Sequence, residues 1–270
     1  MKKLLISLMI SHAALFAAPQ VLAQAPFSAS KMSQVQVSEL SFKEIMRKFY
    51  GGQMRRSFID DEQLDKMPHV ALGQTDEDGS STVALMHPVM SYKNAAAENR
   101  YLVMIEKIQA GSEGHVVACH ACAGTADLYS FKKLSNSKFQ LVSRSLSESE
   151  FSGSWGRVGL NLEEISSNMQ LLGKNLTGSI FQNGYTSTGT TEVWWEALHL
   201  PENDYIRVYS VADAGADNSG SYDADSPLYY SYQSKLEVIK NGAEFFPIKV
   251  NYTGEKPSDD YEKILCTRQK

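Results

Sequence analysis

Four side chains able to ligate a metal or to do thiol chemistry fall within eight positions: His115, Cys119, His120 and Cys122, in the run Gly114-His115-Val116-Val117-Ala118-Cys119-His120-Ala121-Cys122-Ala123-Gly124. Cys266 is the remaining cysteine. In an oxidising compartment such thiols become disulfides, joining Cys119 to Cys122 or one of them to Cys266. The link to Cys266 would close a loop of about 145 residues and stabilise by on the order of 4–5 kcal/mol in the chain-entropy model. Three cysteines cannot all pair within one chain, so one thiol is left over.

Two other chemistries suit the same residues. As C-x-x-C, Cys119-His120-Ala121-Cys122 is a redox candidate in which the histidine favours the thiolate. Such sites usually open a helix, whereas here Ala123-Gly124-Thr125 and the strand-like Asp127-Leu128-Tyr129-Ser130-Phe131 follow. As a zinc site, His115, Cys119 and Cys122 would be ligands with His120 as alternate. A strand over 115–119 would put His115 and Cys119 on one face and His120 on the other, giving three ligands more readily than four. Ala123 after Cys122 excludes the C-x-x-C-His of haem attachment.

Asp213, Asp217, Asn218, Asp223 and Asp225 gather in a Gly-rich stretch, where hard oxygen ligands suit calcium. Their spacing is not that of an EF-hand, and a solvated turn uses the same residue types. Aromatics concentrate late in the chain, among them Tyr185, Trp194 and Trp195. Strand alternation puts Trp194 and Trp195 on opposite faces, one for the core and one free to anchor a glycan or a protein. Ser135-Asn136-Ser137-Lys138 matches S-x-x-K, but it falls where a hairpin turn is expected. G-x-S-x-G, H-E-x-x-H, Walker and dinucleotide glycine motifs are absent, so no catalytic residue is assigned and the reading leans away from an enzyme.

These residues need a scaffold, and the pattern is that of a mainly β protein with one short N-terminal amphipathic helix. Ser41 and Glu44 form a capping-box pair, Phe42, Ile45, Met46 and Phe49 make an apolar stripe, and Gly51 is placed to end the helix in the left-handed region. Strands are expected over 81–92, 101–108, 115–119, 126–134, 139–143, 169–172, 177–181, 192–200, 205–211, 228–239 and 245–252, rich in Val, Ile, Tyr, Phe and Thr. Turn chemistry separates them at Asp78-Gly79, Asn183-Gly184, Asn218-Ser219-Gly220 and Asn241-Gly242. Short polar connections favour antiparallel pairing, arranged as a sandwich, a barrel or a propeller-like meander. A β-rich domain over 37–270 is expected, with two lobes meeting near 145–159 and a short helical turn at Asn161–Ile165.

Met1-Lys2-Lys3, an apolar run from Leu4 to Ala18 and the small residues before Gln24 predict a secretory signal peptide over 1–23, followed by a flexible leader over 24–36. Removing 23 residues from 270 leaves 247 and takes away two lysines and no acid, so the formal charge moves from −5 to −7. An acidic chain without a basic run points away from nucleic acid, and the rest of the sequence offers no membrane span. The expectation is an exported binding protein, periplasmic or secreted, holding a protein partner as an inhibitor or immunity-type factor. Two alternatives stand beside it: a metal- or thiol-dependent enzyme centred on Cys119, Cys122 and His115, and a cell-wall glycan binder.

Overall fold

A computed structural model of the chain describes residues 29–146 and 151–256. The expected signal segment 1–23, the start of the leader and Cys266 lie outside the described residues. Of the described residues 49% are strand and 8% helical.

Helix α1 (Ala29–Met32) and strand β1 (Gln36–Val37) precede helix α2 (Phe42–Tyr50). The Ser41 hydroxyl accepts from the Glu44 N–H at 3.4 Å, satisfying one orphan donor of the first turn. The return half of the expected capping box is not made, because the Glu44 carboxylate accepts from the Ser38 N–H and hydroxyl instead. Gly51 has φ −54 and Gly52, at φ +84, makes the left-handed turn.

Strands β2 (Met54–Arg55), β3 (His69–Leu72), β4 (Ser81–Met86), β5 (Met90–Lys93), β6 (Asn99–Ala110), β7 (Thr125–Lys133) and β8 (Phe139–Ser145) form the first half of the sheet. A hairpin of β9 (Gly153–Ser154) and β10 (Arg157–Val158), then helix α3 (Leu162–Ser167), lead to the second half. That half holds β11 (Met169–Gly173), β12 (Leu176–Ser187), β13 (Thr190–Leu200), β14 (Tyr205–Asp217), β15 (Ser231–Val238) and β16 (Ile248–Glu255). The named strands pair antiparallel except at one seam, where Tyr205 and Ile206 of β14 run parallel to Arg144 and Ser145 of β8. The two halves are thus one large mixed sheet, and β9–β10 is a small second one. Among the described residues no barrel closes, and a single continuous sheet replaces the separate blades of a propeller.

The sheet folds its halves toward each other over a shared core. Leu102 and Met104 of β6 and Leu128 of β7 meet Phe181, Leu198 and Ile206 of the second half and Ile165 of α3. The alternate residues of the same strands, Val103, Ile105, Tyr129 and Phe131, pack on the other face against Ile45 and Met46 of α2. Both faces of β6 and β7 are covered, and the middle of β6, Leu102–Ile105, accordingly reads as an unbroken apolar run. Burying each such side chain stabilises by about 1.5–3 kcal/mol.

Several expected elements end elsewhere, for local reasons. The strand over 81–92 is two strands, since Pro88 between Met86 and Met90 has no N–H to give the ladder. Residues 115–119 form no strand; Val116 bridges to Ala110, and the chain then turns into the Cys119–Cys122 loop. Asn183-Gly184 lies inside β12, paired with Trp194 and Val193, and the turn falls at Thr188-Gly189 with φ +47 and +79.

Candidate functional site

Strands β12 and β13 are longer than the core they help enclose. Phe181 and Leu198 share its inner face with the apolar core, and beyond them the same face carries Glu196, Asn183, Trp194, Tyr185 and Glu192. Register dictates this grouping, because Phe181 is opposite Glu196, Asn183 opposite Trp194 and Tyr185 opposite Glu192. A face that starts apolar therefore ends in rings and carboxylates where solvent reaches it.

Each carboxylate is held from the ring side. The Tyr185 hydroxyl donates to Glu192 at 2.7 Å, and the Trp194 indole N–H donates to Glu196 at 3.1 Å. Glu196, 5% exposed, also accepts from Asn183 Nδ2 at 2.7 Å and from the Ser152 hydroxyl. As hydrogen-bond acceptor first and as a charge second, Glu192 holds the Tyr185 phenol above its ordinary pKa.

The second wall comes from the cysteine loop. Cys119 and Cys122 are joined in a disulfide, and the Cys122 N–H closes the turn on the Cys119 carbonyl at 3.0 Å. The β9–β10 turn docks on this loop through its backbone: Trp155 N–H to Cys119 O at 3.0 Å and Gly156 N–H to Cys122 O at 2.8 Å. The approach requires glycine at 156, where φ is +75 and a Cβ would come within 2.7 Å of the Val117 carbonyl. The loop presents His120 across the cleft, and its Nε2–H donates to the Thr186 carbonyl at 2.5 Å. His120 then meets Trp155 edge-on at 5.2 Å and Tyr185 at 6.1 Å and 90°, while Tyr185 is 6.1 Å from Trp194.

The remaining wall rests on Glu106 of β6. Its carboxylate, 1% exposed, accepts from Arg157 Nε and Nη2, each at 2.8 Å, from His87 Nε2 at 2.8 Å and from the Val158 N–H at 2.9 Å. Burial alone would raise its pKa, but the bonds from Arg157, His87 and Val158 and the Arg157 charge outweigh it and lower the value to about 2. Arg157 thereby fixes the hairpin to the first half of the sheet while lining the cleft. Together the walls enclose about 360 Å³, within the range of small-ligand sites.

Two groups that the sequence keeps 65 to 74 residues apart, His120 and the pair Tyr185 and Trp194, are one site here. Trp195 faces the opposite way, with its indole N–H on the Ser234 hydroxyl at 2.9 Å and its ring packed on the cluster of Leu172, Leu176, Ile180 and Ala197. His115 is not in the cleft. It is exposed, 3.2 Å from Asp60, and the sulfurs of Cys119 and Cys122 are bonded to each other, so the proposed zinc set is not assembled. Neither sulfur is left for Cys266.

Asp213 and Asp217 belong to β14 rather than to a loop with Asp223 and Asp225, and Asp217 accepts from the Ser219 N–H at 2.9 Å. Among the described residues no three of His, Cys, Asp and Glu are grouped to hold an ion. Trp155, Arg157, Glu106, Asn183, Glu192 and Glu196 complete the site beyond what the sequence singled out. Trp155 and Arg157 fall at the expected lobe junction near 145–159, and Asn183 was read only as part of a turn. Comparison with family models, with curated proteins and with solved structures matches none of them to this chain.

Proposed function

We propose that this chain is an exported, non-catalytic binding protein and that the cleft between His120, Tyr185 and Trp194 is where it takes hold of its partner. The observation that carries this is the convergence of three aromatic rings from separate segments on one cleft, with the polar groups around them hydrogen-bonded. A pocket built of fixed rings and satisfied polar groups recognises shape and charge; Glu196 and Glu106, the buried carboxylates beside it, are engaged in holding the walls. Export is supported by the signal-like start of the sequence and by a disulfide between Cys119 and Cys122, which suits an oxidising compartment. An inhibitor or immunity-type role is the narrower form of this reading, in which a protein presents the group that enters the cleft.

The test is a native mass spectrum of the protein purified from its own compartment without reductant. A retained partner that is lost in Trp194→Ala and kept in Trp195→Phe is the expected result. A partner retained equally by Trp194→Ala, with the near-UV circular dichroism of a folded chain, would overturn the assignment of the cleft.

A further inference from the structure

The rings of the cleft stand at steep angles to one another. His120 and Tyr185 are at 90°, Tyr185 and Trp194 at 59°, and His120 and Trp155 at 66°. A flat sugar stacks on one open ring face, whereas rings turned toward one another make a concave corner for a compact, rounded group. The electrostatics select further. A carboxylate that accepts from a ring's own O–H or N–H pushes electron density into that ring and deepens the negative potential over its face. Glu192 does this to Tyr185 and Glu196 does it to Trp194.

Charge agrees with the rings. Among the described residues Glu196 takes its bonds only from neutral donors, the Ser152 hydroxyl, the Asn183 amide and the Trp194 indole. The one guanidinium in the wall, Arg157, gives both Nε and Nη2 to Glu106, so its charge is matched. Glu192 and Glu196 stand behind the rings rather than in the lining, so what the cleft offers a ligand is the aromatic faces they enrich. Resting on the cleft being the binding site, we infer that its ligand presents a quaternary ammonium or fully methylated amine, held by cation–π attraction to Tyr185 and Trp194 with His120 closing the corner.

The experiment is a calorimetric titration of the full protein with choline chloride and, in parallel, with 3,3-dimethylbutanol, the uncharged isostere of choline. Saturable choline binding, about tenfold weaker for the isostere and abolished in Tyr185→Ala, is the expected result. Tyr185 is 40% exposed, so this variant keeps the fold, and its tryptophan emission reports that it does. Equal affinity for the isostere would overturn the inference, because charge would then play no part. Choline binding unchanged in Tyr185→Ala would also overturn it, by placing the amine elsewhere. Absence of choline binding in a protein whose native partner is lost in Trp194→Ala would overturn the ligand class while leaving the cleft as the binding site. Co-sedimentation with phosphatidylcholine vesicles separates the sources: a headgroup ligand brings the protein down with the vesicles, and a free small molecule leaves it in solution.

Discussion

The two halves of the sheet treat their polar groups differently. In the first half, β6 and β7 are covered by α2 on one face and by the second half on the other, and the charged and phenolic side chains that enter them are paired out of reach of water. Under α2, Asp127 receives the Tyr50 hydroxyl and the Lys107 ammonium at 3.0 Å, and the Tyr129 hydroxyl donates to Tyr50 at 3.2 Å. Burial, with Asp127 and Tyr129 close by, drives the Tyr50 pKa far above its ordinary range. In the second half, β12 and β13 overshoot the core, and the same inner face continues into Trp194, Tyr185 and Glu192 with solvent beside them. A sheet covered on both sides spends its polar groups on holding itself together. The overhanging part keeps rings and charges that a ligand can reach, and the cysteine loop and the β9–β10 hairpin fold over that part.

Matched truncations test the comparison directly. Phe131→Ala removes a fully buried ring between β7 and α2 and should lower unfolding free energy in urea by about 3–5 kcal/mol. Tyr252→Ala on β16, where the ring is 41% exposed, should stay within about 0.5 kcal/mol. Similar losses at the two positions would mean that the halves are equally packed.

Glu106→Gln should be the next largest, at about 2–3 kcal/mol in the same urea titration. Leaving one partner of a buried pair uncompensated costs more than this when both are enclosed, but the Arg157 side chain is 38% exposed and water can recover part of its charge. The pH dependence sharpens the point. The folded pKa of Glu106 is lowered to about 2 against an ordinary 4.5, so its contribution is full above about 4.5 and is lost as pH falls toward about 2. The urea midpoint of the native protein should fall through that window, and Glu106→Gln should remove that portion of the fall.

The first half was the easier to read from sequence. The apolar run Leu102–Ile105, which both covered faces of β6 require, is present in the residues themselves, as are the stripe of α2 and its Ser41 cap. The parallel seam at Tyr205 and Ile206 left no local trace, because pairing between β8 and β14 depends on how the halves fold over one another. The site was legible only in pieces. Sequence marked the cysteine loop and the late aromatics separately, since what joins them is the register of β12 on β13 and two backbone bonds from Trp155 and Gly156. Asn183-Gly184 carried a turn signal that tertiary pairing overrode, and the small residues of Ala212–Asp217 looked like a loop until β13 gave them a partner.

Removing the disulfide probes the roof of the overhang. Cys119→Ser with Cys122→Ser opens a covalent loop of only a few residues, so the chain-entropy model gives a loss of about 2 kcal/mol, well below that for a long loop. Because Trp155 and Gly156 bond to the carbonyls of the two cysteines, amide exchange at Trp155 and Gly156 should speed up more than at Leu128 in β7. Equal changes at the two places would mean that the loop is not what holds the hairpin over the cleft.

The smallest expected effect is the most selective. Glu192→Gln leaves the Tyr185 ring in place and keeps an acceptor for its hydroxyl, so stability should move by no more than about 0.5 kcal/mol. The variant removes only the negative charge behind the ring. If the overhang recognises its ligand by the charge-enriched faces of its rings, choline affinity should drop by about threefold, in keeping with cation–π attraction worth about 0.5–1 kcal/mol at an exposed site. The Tyr185 phenol, relieved of the carboxylate, should also ionise at lower pH, which its ultraviolet difference spectrum reads. A shift in that titration without any loss of choline affinity would assign Glu192 to holding the ring alone, and would leave Glu196, behind Trp194, as the carboxylate that enriches a ring face.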